Sequence, residues 1–125
     1  ALEVRLEHAR GLPAADPWGT SDPYAVLALG GSSARSRVAP LTLEPQWRED
    51  LALFVRRGPR GERLRVRVFD CDVAGPDDDL GAAEVALQGL LDGEPHALEL
   101  PLVMSAPGAA VELSVQFRPF LEGQG

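Results

Sequence analysis

Three stretches of the chain alternate apolar and polar residues with a period of two. Leu2, Val4 and Leu6 alternate with Glu3, Arg5 and Glu7. Leu64, Val66 and Val68 alternate with Arg63, Arg65 and Arg67, and Val111, Leu113, Val115 and Phe117 with Glu112, Ser114, Gln116 and Arg118. Successive side chains of a strand point to opposite faces, so this pattern predicts strands with one dry and one wet face. Residues 24–29, 34–38, 47–55, 80–87 and 96–100 add further short strand candidates. About eight strands at regular spacing, with turn residues between them, predict an all-β sandwich. The turns fall at Gly30-Gly31-Ser32-Ser33, at residues 57–61 and at Ala106-Pro107-Gly108. One or two helical turns are expected over 87–91, and no internal repeat is visible.

Length and charge narrow the function. A chain of 125 residues suits one domain with a real core, expected over 1–120, with 121–125 starting a linker. Ala1 in place of a start methionine suggests a piece of a longer chain. No apolar run reaches the length of a membrane span, and no signal peptide is visible. The net charge of −7 argues against nucleic acid as partner, and against unaided attraction to anionic membranes. The single Cys71 excludes an internal disulfide and points to a reducing, cytoplasmic compartment.

The candidate chemistry lies in two acidic clusters at strand ends. Asp16 and Asp22 fall within Ala15-Asp16-Pro17-Trp18-Gly19-Thr20-Ser21-Asp22-Pro23-Tyr24. Asp70, Asp72 and Asp78 fall within Phe69-Asp70-Cys71-Asp72-Val73-Ala74-Gly75-Pro76-Asp77-Asp78-Asp79. Carboxylates gathered at one end of a sheet repel unless a hard cation neutralises them, and Ca²⁺ takes six to eight oxygens from such groups. Asp70 and Asp72, two apart, are expected on one side of an extended strand end. Asp77, Asp79 and Asp92 read as ordinary turn formers. The EF-hand template fails, because Ala74 and Gly81 stand where ligands are required. Zinc fails as well: one Cys and the distant His8 and His96, both expected as exposed strand residues, give no ligand spacing. Carboxylates around Cys71 blunt it as a nucleophile, and there is no phosphate loop or nucleophile elbow, so no catalytic residue is assigned.

The stretch Leu12-Pro13-Ala14-Ala15-Asp16 followed by Gly19-Thr20-Ser21-Asp22-Pro23-Tyr24 resembles the start of a C2 domain, the calcium- and phospholipid-binding module of synaptotagmins, extended synaptotagmins and protein kinase C. Thr42-Leu43-Glu44-Pro45-Gln46-Trp47-Arg48-Glu49 resembles that family's T-L-N-P-x-W-N-E segment. Val66-Arg67-Val68-Phe69-Asp70-Cys71-Asp72 and Asp78-Asp79-Leu80-Gly81 resemble its third calcium-binding loop. The resemblance implies an eight-stranded antiparallel sandwich of the second circular topology, with three loops at one end. It implies two or three Ca²⁺ ions held by Asp16, Asp22, Asp70, Asp72 and Asp78, helped by backbone carbonyls at Ala15, Pro17 and Cys71. All five positions are aspartate here, which favours a calcium-dependent module that recruits its parent protein to phosphatidylserine-type anionic membranes. Two ions would bring the formal −7 to about −3 and make the loop tips locally positive. Trp18, Val73 and Ala74 are the expected membrane-inserting residues, and Trp18 either packs back on a neighbouring loop or enters the bilayer. Trp47 reads as a structural or concave-face residue.

The chain departs from the family at Glu44, where Asn is usual, and in its basic strand, which keeps only Arg35 and Arg37 as head-group contacts. That argues against specific recognition of phosphatidylinositol bisphosphate. Arg56, Arg57, Arg60, Arg63, Arg65 and Arg67 read first as a solubilising face. The expected location is cytoplasmic, peripheral to a membrane. Two alternatives stay open: a protein-interaction or structural domain with structural calcium, and the regulatory domain of a larger lipid enzyme or kinase.

Overall fold

The computed structural model describes residues 1–54 and 62–118. Among these, eight strands run in chain order: β1 Leu2–Arg10, β2 Pro23–Leu29, β3 Ser32–Arg35, β4 Gln46–Leu53, β5 Arg63–Asp70, β6 Asp78–Ala86, β7 His96–Pro101 and β8 Ala110–Phe117. They form two antiparallel four-stranded sheets, ordered β4-β1-β8-β7 and β3-β2-β5-β6. The alternation predicted the inward faces. Leu2, Val4, Leu6, Leu64, Val66, Val68, Val111, Leu113 and Val115 are all buried between the sheets, while Arg63, Arg65 and Arg67 face water. The first strand lies between β4 and β8. Its open end closes on the last strand, where the Ala1 amino group donates to the Arg118 carbonyl and the Arg118 N–H donates back to Ala1.

Three local expectations are corrected. Gly30 and Gly31 make a two-residue hairpin, so Ser32 already pairs with Leu29 and β3 occupies 32–35 rather than 34–38. Gly30 has φ +58, which that tight turn requires. The helical turns expected over 87–91 are instead one β-turn, in which the Leu90 N–H donates to the Leu87 carbonyl and Gly89, at φ +84, takes the third position. His8 and His96 are half-buried rather than exposed, His8 3.3 Å from Glu112 and His96 2.8 Å from Asp92. The expectations for Arg56, Arg57, Arg60, the turn at 57–61 and the linker at 121–125 lie outside the described residues.

Register decides which loops share an end. Arg10, Ala110 and Pro101 lie side by side across β1, β8 and β7. Pro23, Asp70 and Asp78 do the same across β2, β5 and β6. The β3–β4 loop is tied to the same end, because Ala39 N–H donates to the Pro23 carbonyl and Thr42 N–H to the Ser21 carbonyl. Four loops therefore gather there, one more than the resemblance implies. Trp47 fixes the base of this end from inside: it is fully buried, and its Nε1–H donates to the Pro23 carbonyl at 3.3 Å. It is thus a structural residue.

A bulge shapes the third loop. Val68 pairs with Gly81 but Phe69 with Asp79, so Leu80 is an extra residue, and it turns into the core. Gly81 sits at φ +140, where an added Cβ would lie 2.8 Å from the Cβ of Ser105. Gly81→Ala should therefore cost about 2 kcal/mol or more in urea unfolding. Gly19→Ala, at φ +89 with no atom within 4 Å, should cost only about 1 kcal/mol of backbone strain. Equal costs would show that the contact with Ser105 is not a constraint.

Candidate metal centre

The first loop is a tight turn built around Asp16. Its N–H donates to the Thr20 carbonyl at 2.9 Å, and its own carbonyl accepts from Gly19. The Thr20 hydroxyl donates to the Asp16 carboxylate at 2.8 Å. Below the turn, buried Ser21 accepts from the Ala15 N–H and donates to the Pro13 carbonyl. These bonds hold the Asp16 side chain over the end of the sandwich and leave Trp18 at the tip. Trp18 is 74% exposed, so it does not pack back on its neighbours.

Asp22 and Asp70 brace each other at the join of β2 and β5. The Asp22 N–H donates to Asp70 Oδ1 at 2.7 Å, and the Cys71 N–H returns to the Asp22 carbonyl at 3.0 Å. The Asp22 carboxylate also accepts from the Leu41 N–H at 2.7 Å, which ties in the second loop. The outcome is a compact trio: one carboxylate oxygen each from Asp16, Asp22 and Asp70, all within 4.8 Å of one another. Asp70 is buried. Burial pushes its carboxyl above the usual carboxylate range; the Asp22 N–H pulls it down in part, and the charges of Asp16, Asp22 and Asp78 push it up further.

The other two predicted ligands stand apart from this trio. The strand stops at Asp70, so Asp72 does not continue its side; its carboxylate accepts from the Ala74 N–H at 2.9 Å in a local turn. Asp78 lies directly opposite Asp70 in the β5–β6 ladder and is exposed. Like charges at opposed ladder positions are unfavourable until something neutralises them. Asp77 does more than form a turn. It accepts from the Tyr24 hydroxyl and, at 2.8 Å, from the Asp72 N–H, so it anchors the third loop to β2. Those two bonds hold its carboxyl below the usual range, and the Tyr24 hydroxyl is raised by the same contact. Asp79 and Asp92 accept from Gly81 and Glu94 N–H groups, as turn formers do.

Val73 and Ala74 are exposed at the tip of the third loop. Arg35 lies 4.1 Å over the Tyr24 ring, which stacks on Phe69, on the outer face of the second sheet. Arg37 follows the end of β3, and its guanidinium donates to the Trp47 carbonyl at 2.6 Å. Arg63 and Arg65 pair with Glu84 and Arg67 with Asp79, which matches a solubilising face.

Among the described residues, no ion pair neutralises Asp16, Asp22, Asp70, Asp72 or Asp78. The donors are all oxygen and sit on two loops and the strand ends beside them, with like charges close together. That donor set fits a hard divalent cation, and Ca²⁺ better than Mg²⁺, which demands stricter octahedral geometry.

Comparison with known proteins bears on the family and the fold. A family model described as C2 domain matches residues 1–102. The chain is 36% identical over 101 residues to multiple C2 and transmembrane domain-containing protein 1 of Homo sapiens, covering 81% of this chain and 10% of that protein. It is 34% identical over 108 residues to synaptotagmin-3 of Arabidopsis thaliana, covering 84% of this chain and 20% of that protein. The chain thus spans only a small part of these relatives. The first C2 domain of plant extended synaptotagmin 1 superposes with a TM-score of 0.81 at 25% identity, covering 97% of this chain and 95% of that one. The calcium-bound pair of C2 domains of extended synaptotagmin 2 gives a TM-score of 0.79 at 25% identity, covering 92% of this chain and 44% of that one.

The raised Asp70 carboxyl gives a signed expectation. An acid raised in the folded state favours folding fully at low pH, and that contribution is lost as pH rises through the raised value. In chelator near neutral pH, Asp70→Asn should therefore raise the melting temperature by a few degrees, since Asn keeps the acceptor for the Asp22 N–H. The same variant should lose most of any calcium-induced rise. A variant less stable than wild type in chelator would show that Asp70 is not held against repulsion.

Proposed function

The chain belongs to the C2 domain family, and on that premise we propose that it is a calcium-dependent module that docks on anionic phospholipid membranes. The observation that carries this reading is the trio Asp16, Asp22 and Asp70, without a basic counter-charge among the described residues and flanked by exposed Trp18 and Val73. Asp16, Asp22 and Asp70 would hold one ion. Asp70 with Asp72 and Asp78 offers carboxylates for a second, and carbonyls at Ala15, Pro17 and Cys71 are candidates to complete the shells. Bound calcium supplies positive charge and open coordination positions for lipid phosphate.

The residues prepare that step. Thr20 and Ser21 fix the Asp16 turn, Leu41 and Cys71 fix Asp22, and Asp77 fixes the loop that carries Asp72. Without the ion the end repels anionic lipid; with it the repulsion is removed and Trp18 can enter the bilayer interface, where its ring is favoured. Location at the cytoplasmic face, peripheral to a membrane, follows from this reading. Among the described residues no helix is long and apolar enough to cross a membrane. A second reading, calcium as a structural ion in a protein-binding domain, draws support from the arginines: Arg37, Arg63, Arg65 and Arg67 are already engaged within the chain.

Melting in chelator and in millimolar Ca²⁺, with sedimentation on phosphatidylserine vesicles, tests both. At a hundredfold excess over its Kd, each independent site should add about 2.7 kcal/mol of stability. Sedimentation should need calcium and disappear in the Asp22→Asn plus Asp70→Asn variant. A calcium-induced rise without sedimentation would favour the structural ion, and no rise would refute both readings. Trp18→Ala should weaken vesicle partition about tenfold or more while leaving the calcium-induced melting shift in place.

A further inference from the structure

Of the four loops at the acidic end, the one between β7 and β8 alone carries no charge: residues 100–111 contain no Asp, Glu, Lys, Arg or His. It is firmly seated against β6, the strand that follows the third loop. Val103 and Ala82 exchange backbone hydrogen bonds at 2.7 and 3.1 Å, four residues from Asp78, and the Leu102 N–H donates to the Ala109 carbonyl. Leu102 and Ala109 are buried, yet Val103 and Met104 point to water, Met104 being 89% exposed. Across the same end, Leu41 in the β3–β4 loop is 66% exposed.

Met104 and Leu41 share a second property. Their φ values are +54 and +55, in the left-handed region that side-chain-bearing residues avoid. Two apolar side chains are thus held outward, at one end of the molecule, by backbone conformations that only a fixed surrounding maintains. The Leu41 conformation is held by the bond from its N–H to Asp22, so this tip is tied directly to the metal centre.

We propose that Leu41, Val103 and Met104 enter the same lipid bilayer as Trp18 and Val73, so that the domain sits on the membrane through four loops, two of them lacking any of the five candidate calcium-ligand aspartates. The inference rests on the membrane reading above. A bilayer is the fitting occupant because the Leu41 tip is tied through Asp22 to the acidic centre, where cations and lipid phosphate would meet, and the uncharged β7–β8 loop leaves the sandwich at that same end. A protein partner matched to that centre would bring a basic surface, to which the uncharged loop offers nothing.

Val103→Thr with Met104→Asn tests this without altering charge or touching the metal centre: Thr keeps the branched side chain beside the bridge to Ala82, and Asn tolerates the left-handed conformation better than Met. Stability and the calcium-induced melting shift should persist, while partition onto phosphatidylserine–phosphatidylcholine vesicles in calcium falls about tenfold or more. Met104 is the only methionine, so its labelled methyl gives one NMR signal. That signal should broaden on calcium-dependent binding to nanodiscs containing spin-labelled lipid. Unchanged partition, or an unbroadened methyl, while wild type binds vesicles would overturn the inference and leave the membrane reading standing. Failure of wild type to bind vesicles would remove that reading and this inference with it. A concentration-dependent dimer abolished in the double variant, with partition unaffected, would assign the surface to a second copy and overturn the proposal.

Discussion

The brace between Asp22 and Asp70 is the contact on which the functional end depends. One N–H donated to a buried carboxylate at 2.7 Å, with Cys71 returning to the Asp22 carbonyl, locks the exit of the first loop to the entrance of the third. Leu41 adds the second loop through the Asp22 side chain. The brace sits on Trp47, whose indole holds the Pro23 carbonyl from within the core. The arrangement carries its own tension. The fold places a carboxylate in a buried position and surrounds it with Asp16, Asp22 and Asp78, so the scaffold that shapes the centre also opposes its charge.

That tension separates scaffold from chemistry. The sandwich owes its stability to apolar faces that meet between the sheets, and none of those residues carries charge. The acidic loops add little burial and much repulsion. Their order comes from Ser21 and Asp77, which accept from backbone N–H groups, and from Thr20, whose hydroxyl donates to the Asp16 carboxylate. Such a division would let the end respond to an ion while the core stays as it is.

Strands were the most legible part of the sequence because burial imposes a period of two, and β1, β5 and β8 follow that period closely. Strand ends were less legible. Two glycines sufficed to move the start of β3, and Gly89 cut a helical pattern to one β-turn, since a single positive φ overrides the preference of its neighbours. The five aspartates were visible by spacing and resemblance, but their grouping was not. Spacing along a chain cannot show that β5 ends at Asp70 and leaves Asp72 to cap Ala74. Asp77 was passed over because its partner, Tyr24, is 53 residues away. The place of the β7–β8 loop was equally hidden, since only the bridge between Val103 and Ala82 sets residues 102–109 against β6.

Ala1 and Arg118 exchange hydrogen bonds across the starts and finishes of β1 and β8. Both ends of the described chain therefore emerge at the pole opposite the aspartates. Polypeptide joined on either side would leave from one small area of surface, like both arms of a cord passing through the same ring. The acidic face is thereby kept clear of the points where the described chain starts and stops.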